Sequence, residues 1–279
     1  MSDKSNPYSA PDTGHVWDDT LRELTNQPPK WWMLGFYASL LLVVVYVIIY
    51  PAIPLATTHT KGVTGWTSVK EYREDMAAIN EKRGKYEEQL QGMSAAAILD
   101  DQDLTNYVQR SAKVLFGDNC AACHGTEGSG NQGFPVLNDD DWLYGGSIQA
   151  IEQSIIGGRA GNMPPHTMSD EELNKLADAI IAGKPGDEPL FSAKGCFACH
   201  GADGKGMQAL GAANLTDGIW RFAAADQRES VKHTITHGVN MPSDAQTRNA
   251  VMPKFGGGKL SDTEIRKLAV YVHKLGGGQ

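Results

Sequence analysis

The chain has 279 residues, of which 41% are apolar and 21% are charged, and its formal net charge is −8. At about 150 residues per domain, this length allows one to two domains, and the apolar share is large enough to form buried cores. The acidic balance argues against a nucleic-acid-binding protein, which needs a basic surface, so no nucleic-acid partner is expected.

Residues 1–30 are polar, acidic and without an apolar period, which predicts a flexible tail. The segment 31–54 carries no charge, and Trp31 to Tyr50 would span about 30 Å as a helix, the thickness of the hydrocarbon core of a bilayer. Aromatic residues mark both ends of this run, and Pro51 stops the helix. We predict an uncleaved transmembrane anchor, because the run is too long and begins too late for a signal peptide.

Residues 55–99 form the predicted linker between this anchor and the rest of the chain. Glu71 to Leu90 is dense in charge and poor in large apolar residues, which is typical of a solvated helix. From residue 100 the chain repeats itself, and each half ends in a capping box followed by an apolar helical stripe, at Ser169–Glu172 and at Ser261–Glu264. The predicted fold is therefore mainly α: one N-terminal transmembrane helix followed by two tandem helical domains, 100–184 and 185–279.

All four cysteines lie in two copies of one pattern, Cys-x-x-Cys-His. Two thiols one helical turn apart can bond to the two vinyl groups of one porphyrin, and the histidine that follows can bind the iron. A zinc site would need closer additional ligands, and a dithiol redox site would need a βαβ unit. We therefore predict two cytochrome c-like domains with two covalently bound haem c groups. The attachment residues are Cys120, Cys123, Cys196 and Cys199, and the proximal iron ligands are His124 and His200.

The basic residues flank the anchor on both sides and do not decide its orientation. Covalent haem attachment of this kind takes place outside the bacterial cytoplasm. The two motifs therefore predict a single-pass protein of the bacterial inner membrane with a cytoplasmic N-terminus and periplasmic haem domains.

A methionine thioether fills the sixth iron position in many cytochromes c. Met163, in Asn-Met-Pro-Pro, is the candidate of the first half, and Met168 beside it is expected to be a packing residue. In the second half Met241 repeats the sequence Asn-Met-Pro, whereas Met252 lies nearer to the closing helix. Spacing alone leaves these two residues open as alternatives.

Other side chains near the motifs allow two interpretations. His233 and His237 share a helix face at i, i+4 spacing, but a polar surface role is favoured because no third metal ligand is in view. His166 lies beside Met163 and could tune a haem without binding its iron. Three aromatic residues fit haem contact and plain core packing equally well: Trp142, Tyr144 and Trp220.

From about Val16 onward the chain resembles the dihaem subunit, FixP or CcoP, of cbb3-type cytochrome c oxidase. The resemblance begins with Pro-Lys-Trp-Trp before the anchor and Tyr-Pro at its end, and continues through Asn119-Cys-Ala-Ala-Cys-His-Gly. Its most specific part is Asp-Asp-Asp-Trp-Leu-Tyr-Gly-Gly, which ends at Gly146. It closes with Asn-Ala-Val-Met252-Pro-Lys-Phe-Gly-Gly, Leu260-Ser-Asp and Ala269-Val-Tyr-Val.

The resemblance implies an electron-transfer subunit that has no catalytic residues of its own. Such a subunit accepts electrons from a donor cytochrome c and passes them through a monohaem subunit to the catalytic haem b and copper subunit, where oxygen is reduced to water and protons are pumped. The Met-Pro-x-Phe-Gly ligand of the family maps onto Met252, which is therefore preferred to Met241. The resemblance also allows exchanged ligands, with Met163 on the second haem and Met252 on the first. Two alternatives stay open: a free-standing membrane-anchored shuttle, and a dihaem peroxidase, which needs an open sixth position.

Overall fold

The computed structural model describes residues 11–277. Two short strands pair near the N-terminus, and the other regular elements of this part of the chain are helical, as predicted. The chain divides into two units, of which the first ends at Lys82 and the second begins at Arg83. In chain order the helices are α1 Lys30–Ile49, α2 Ser68–Leu90, α3 Ala95–Asp100, α4 Gln102–Asn119, α5 Ala121–His124, α6 Ile148–Gly157, α7 Asp170–Ile181, α8 Pro189–Ala193, α9 Phe197–His200, α10 Gln227–His237 and α11 Asp262–His273.

The N-terminal segment contains a β-hairpin. β1 (Asp12–Trp17) and β2 (Leu21–Leu24) are antiparallel, with Trp17 opposite Leu21. The turn uses two aspartates at φ of 48° and 62°, left-handed conformations that aspartate tolerates better than most residues do. The sequence did not predict these two strands within the expected flexible tail. The first ten residues of that tail lie outside the described part of the chain.

Helix α1 is the predicted anchor. It has 20 residues, about 30 Å at 1.5 Å per residue, and none of them is buried. Within residues 11–277 it is the one helix long and apolar enough to cross a membrane. The chain then folds back over the end of α1, where the Val63 amide donates to the Ile48 carbonyl at 3.0 Å and the Thr64 hydroxyl donates to the Ile49 carbonyl at 2.7 Å. These bonds satisfy carbonyl groups that the helix end leaves without partners.

Helix α2 is the predicted solvated helix, since Leu90 is its only buried residue. Its last turns belong to the second unit. There the Tyr86 ring stacks on the Tyr107 ring with centroids 4.6 Å apart, and Glu87 forms an ion pair with the largely buried Lys267 at 2.6 Å. The linker therefore ends by packing against the helical part of the chain.

The second unit contains two hydrophobic cores. The first is built by α3, α4, α6 and α11, with the Phe116 and Tyr271 rings 5.3 Å apart at the contact of α4 with α11. Cys120 and Met252 pack against this first core. The second core is built by α7, α8 and α10, and Cys196 and Met163 pack against it.

The two closing helices are exchanged between the cores. Helix α7 follows the first cysteine motif along the chain but packs in the core of the second motif, and α11 follows the second motif but packs in the core of the first. The predicted halves 100–184 and 185–279 therefore do not each enclose their own core. Both helices begin with a complete capping box and bury apolar residues at the same four positions after the capping serine, so these positions by themselves fit either partner.

Candidate haem-binding sites

The first motif follows directly from the end of α4. Cys120 caps that helix, and the one-turn α5 then carries the chain through Cys123 to His124. The His124 amide donates to the Cys120 carbonyl at 2.9 Å, so the two thiols and the imidazole are carried by a single helical turn. Among residues 11–277 the four cysteines form no disulfide.

His124 has the geometry of an iron ligand. Its imidazole is buried, with 9% of the residue exposed, and Nδ1 lies 3.0 Å from the Pro135 carbonyl oxygen. A carbonyl oxygen only accepts hydrogen bonds, so Nδ1 carries the proton and Nε2 keeps its lone pair. Burial also lowers the pKa of His124, which favours the neutral imidazole that binds metals.

The second motif repeats this arrangement on α9. His200 Nδ1 lies 2.8 Å from the Ala213 carbonyl oxygen, and burial lowers the pKa of His200 as well. The glycine-rich loops after the two motifs match in their hydrogen bonds: Gly130 donates to the His124 carbonyl at 2.8 Å, and Gly206 donates to the His200 carbonyl at 2.7 Å. The two motifs therefore hold their histidines with the same tautomer and the same backbone support.

The first thiol of each motif lies in apolar surroundings. Burial raises the pKa of Cys120 to about 11, and burial also raises the pKa of Cys196. Each of these two thiols therefore stays protonated at neutral pH and packs at the edge of its core. Paired thiols, a fixed Nδ1–H tautomer and an apolar lining together fit a covalently bound haem c at each motif.

The candidate sixth ligands are linked by one short segment, residues 159–163. At one end, Arg159 and Met252 exchange two backbone hydrogen bonds of 2.9 and 2.7 Å. At the other end, Met163 exchanges bonds of 3.1 and 2.9 Å with Val239. Four peptide units join Arg159 to Met163, so the Cα atoms of these two residues are at most about 14 Å apart. Met252 packs with Cys120 and Met163 packs with Cys196, whereas Met241 is not among the residues that pack on either core.

The remaining residues singled out from the sequence take different roles. The Trp142 indole donates to the Gly277 carbonyl at 2.6 Å and packs on the first core, which ties it to the chain after α11, while Trp220 packs on the second core. His233 and His237 do share a helix face, with ring centroids 4.6 Å apart. His233 contacts a backbone carbonyl and His237 contacts the Asp244 carboxylate, and residues 11–277 contain no cluster of three metal-binding side chains.

Tyr144 lies where the loops of the two motifs meet. The Arg159 guanidinium lies 4.2 Å from the centre of the Tyr144 ring. The Tyr144 ring and hydroxyl fill the space that side chains at Gly161 and Gly211 would need. Sequence reasoning missed Arg159 and also Arg221, whose charge adds to burial in lowering the pKa of His124. Neither arginine stands in a recognisable motif, so no sequence signal marked them.

The fold and the two sites define a cytochrome c-type protein with an N-terminal membrane helix. Residues 9–57 match the N-terminal domain of cytochrome oxidase-cbb3, FixP, and residues 108–178 and 188–272 match cytochrome C oxidase, cbb3-type, subunit III. The chain belongs to this family of cbb3-type cytochrome c oxidase subunits.

Curated relatives agree with this assignment over nearly the full length of the chain. The cbb3-type cytochrome c oxidase subunit FixP of Azorhizobium caulinodans is 39% identical, over 96% of this chain and 93% of the relative. The cbb3-type cytochrome c oxidase subunits CcoP of Cereibacter sphaeroides and Rhodobacter capsulatus are 34% and 36% identical, over 99% and 96% of this chain and 98% and 96% of the relatives.

Proposed function

We propose that this chain is the dihaem electron-entry subunit of a cbb3-type oxidase. It would take electrons one at a time from a donor cytochrome c and pass them, through a monohaem subunit, to the catalytic haem b and copper subunit that reduces oxygen to water. The observation that carries the proposal is the duplicated site, in which two Cys-x-x-Cys-His turns hold their histidines through the same Nδ1–carbonyl bond. Haem c, when bound, supplies a one-electron Fe(III)/Fe(II) couple.

The proposed ligand set pairs each motif with the methionine of its core. Cys120 and Cys123 would hold the first haem, with His124 and Met252 on its iron. Cys196 and Cys199 would hold the second, with His200 and Met163. The packing of Met252 on the first core and of Met163 on the second supports this exchanged pairing over a pairing within each half. With a histidine and a methionine for each haem, neither iron keeps an open position, so the chain would have no substrate chemistry of its own.

The protein residues would hold the two haems close to each other and shield them from solvent. The cores bury one side of each motif, and the segment 159–163 keeps the two methionines close, with at most about 14 Å between the Cα atoms of its ends. A short separation favours direct electron transfer from one haem to the next. The anchor α1 would hold this pair at the outer face of the bacterial inner membrane, with the N-terminus in the cytoplasm, beside the other oxidase subunits.

Purification of the tagged chain from membranes in mild detergent tests the function. Haem b and copper should co-purify with it, and its covalent haem content should be two per chain. Replacing Cys196 and Cys199 by serine should reduce this content to one. A chain that emerges without haem b and copper would favour the free-standing shuttle and contradict the oxidase assignment.

The ligand pairing has its own test, which uses variants with one haem each. With serine at Cys196 and Cys199, the remaining first haem should lose its long-wavelength thioether–iron(III) absorption band in Met252→Ala and keep it in Met163→Ala. With serine at Cys120 and Cys123, the two results should be reversed. Met241→Ala is the matched control and should leave the band in both backgrounds. Loss of the first haem's band in Met241→Ala would contradict the assignment of Met252.

A further inference from the structure

Two consecutive residues of the chain belong to the two different haem sites. Trp220 packs on the second core together with Cys196. The carbonyl of the next residue, Arg221, accepts a hydrogen bond of 2.7 Å from Gly133, two residues before the carbonyl that holds His124. The Gln132 side chain adds a second bond, 3.2 Å to the Ala223 carbonyl. Hydrogen bonds therefore join the loop of the second motif to the loop of the first.

Arg221 brings a positive charge to the loop of the second motif. Its side chain is half-buried, and among residues 11–277 no carboxylate forms an ion pair with it. The Gly133 hydrogen bond to its backbone holds Arg221 against the loop whose Pro135 carbonyl supports the His124 imidazole. A guanidinium that leaves water without a counter-charge is costly, so an anion is expected beside it.

Neighbouring arginines differ from Arg221 in having partners. Arg159 donates to the Ser154 hydroxyl at 2.9 Å and stacks on the Tyr144 ring, and Arg248 donates to the Ser230 hydroxyl at 2.8 Å. The anion that a bound haem would bring to this region is a propionate. Each haem c carries two such carboxylates, and a planar guanidinium binds a carboxylate through two parallel hydrogen bonds.

We propose that Arg221 binds a propionate carboxylate of the haem attached at Cys120 and Cys123, and that its charge raises the reduction potential of that haem. This inference rests on the proposed function. Oxidation adds a positive charge at the iron, and a fixed positive charge nearby opposes it. Arg221 is thus a positioning and tuning residue that the loop of the second motif supplies to the first haem.

The test compares Arg221→Gln and Arg221→Lys in the full chain by redox titration at several pH values. Arg228→Gln is the control, because Arg228 is an exposed arginine seven positions away that pairs with Asp178 at 2.6 Å. Each variant is made with serine at Cys196 and Cys199, so that only the first haem is titrated, and again with serine at Cys120 and Cys123. The thioether band and the haem content confirm that each variant is folded and ligated.

For the first haem, Arg221→Gln should lower the ratio of reduced to oxidised iron at a fixed potential about tenfold, which is 59 mV for one electron. The potential should also become pH-dependent, because an unpaired propionate takes up a proton on reduction. Arg221→Lys keeps the charge and should stay within about threefold of the parent ratio. The control should match the parent, and the second haem should respond to neither variant at Arg221 by more than about threefold.

An unchanged, pH-independent first-haem potential in Arg221→Gln, with the thioether band intact, would overturn the inference. A shift confined to the second haem would also overturn it. If the glutamine variant fails to incorporate haem, the lysine variant decides, and a tenfold loss there would count against charge pairing. Failure of the proposed function would give a different result: the purified parent chain would lack haem c, or would emerge without the other oxidase subunits.

Discussion

Shortening one buried leucine on each closing helix tests the exchange of α7 and α11 between the cores. Leu176 on α7 and Leu268 on α11 each stand seven residues after the capping serine of their helix, and each is 1% exposed. Replacing either with alanine removes buried apolar surface and leaves a cavity, at a cost of about 3 kcal/mol. Because 1.4 kcal/mol is a factor of ten, local opening of the affected core should become roughly a hundredfold more frequent.

Hydrogen exchange of the full chain in detergent, followed peptide by peptide, locates the damage. Leu268→Ala should speed the exchange of α4, which follows the linker, and leave α10 near the parent rate. Leu176→Ala should speed α10 and leave α4 unchanged. Leu210→Ala is the control, because Leu210 is 53% exposed and its truncation should change neither helix by more than about threefold. Faster exchange of α10, and not of α4, in Leu268→Ala would refute the exchange of helices.

Three further results are expected. Burial raises the pKa of Glu87, but hydrogen bonds from Lys267 and Tyr107 outweigh it and hold the pKa below the ordinary 4.5, so the stabilisation is present at neutral pH and lost as pH falls below 4.5. Glu87→Gln should therefore lower the denaturant midpoint at pH 7 and have a smaller effect in acid. An equal loss at both pH values would contradict this. Ser261→Ala removes the cap of α11 and should lower the free energy of unfolding, measured with denaturant, by about 1 kcal/mol. Ser261→Asp keeps a capping oxygen and should lower it less. Similar losses of stability in both variants would argue against the cap. Leu42→Arg places a charge near the middle of α1, at a cost of about 3 kcal/mol in a membrane. Alkaline extraction of membranes should therefore release more of this variant than of Leu42→Ala. Equal retention of both variants would contradict a spanning helix.

The local elements of this chain were predictable because they depend on neighbouring residues. The anchor follows from twenty nearly uninterrupted apolar positions, and its end follows from Pro51. Both capping boxes form as predicted, with serine and glutamate bonded reciprocally. The N-terminal hairpin escaped prediction because its turn depends on two aspartates in left-handed conformations, and its exposed strands have no apolar alternation that would mark them.

The sequence by itself determined the chemistry of the sites: two thiols and a histidine within five residues define a c-type haem motif wherever the motif lies, and the number of motifs predicts the number of haems. Only the tertiary structure decided which closing helix and which methionine pack in the core beside each motif. The two halves carry nearly equivalent apolar stripes, so local pattern cannot assign partners. The backbone pairings of residues 159–163 with Met252 and Val239, and the packing of α7 and α11, depend on contacts between residues far apart in the chain. The hydrogen bond from Gly133 to the Arg221 carbonyl is another such long-range contact, and it joins the loops of the two motifs.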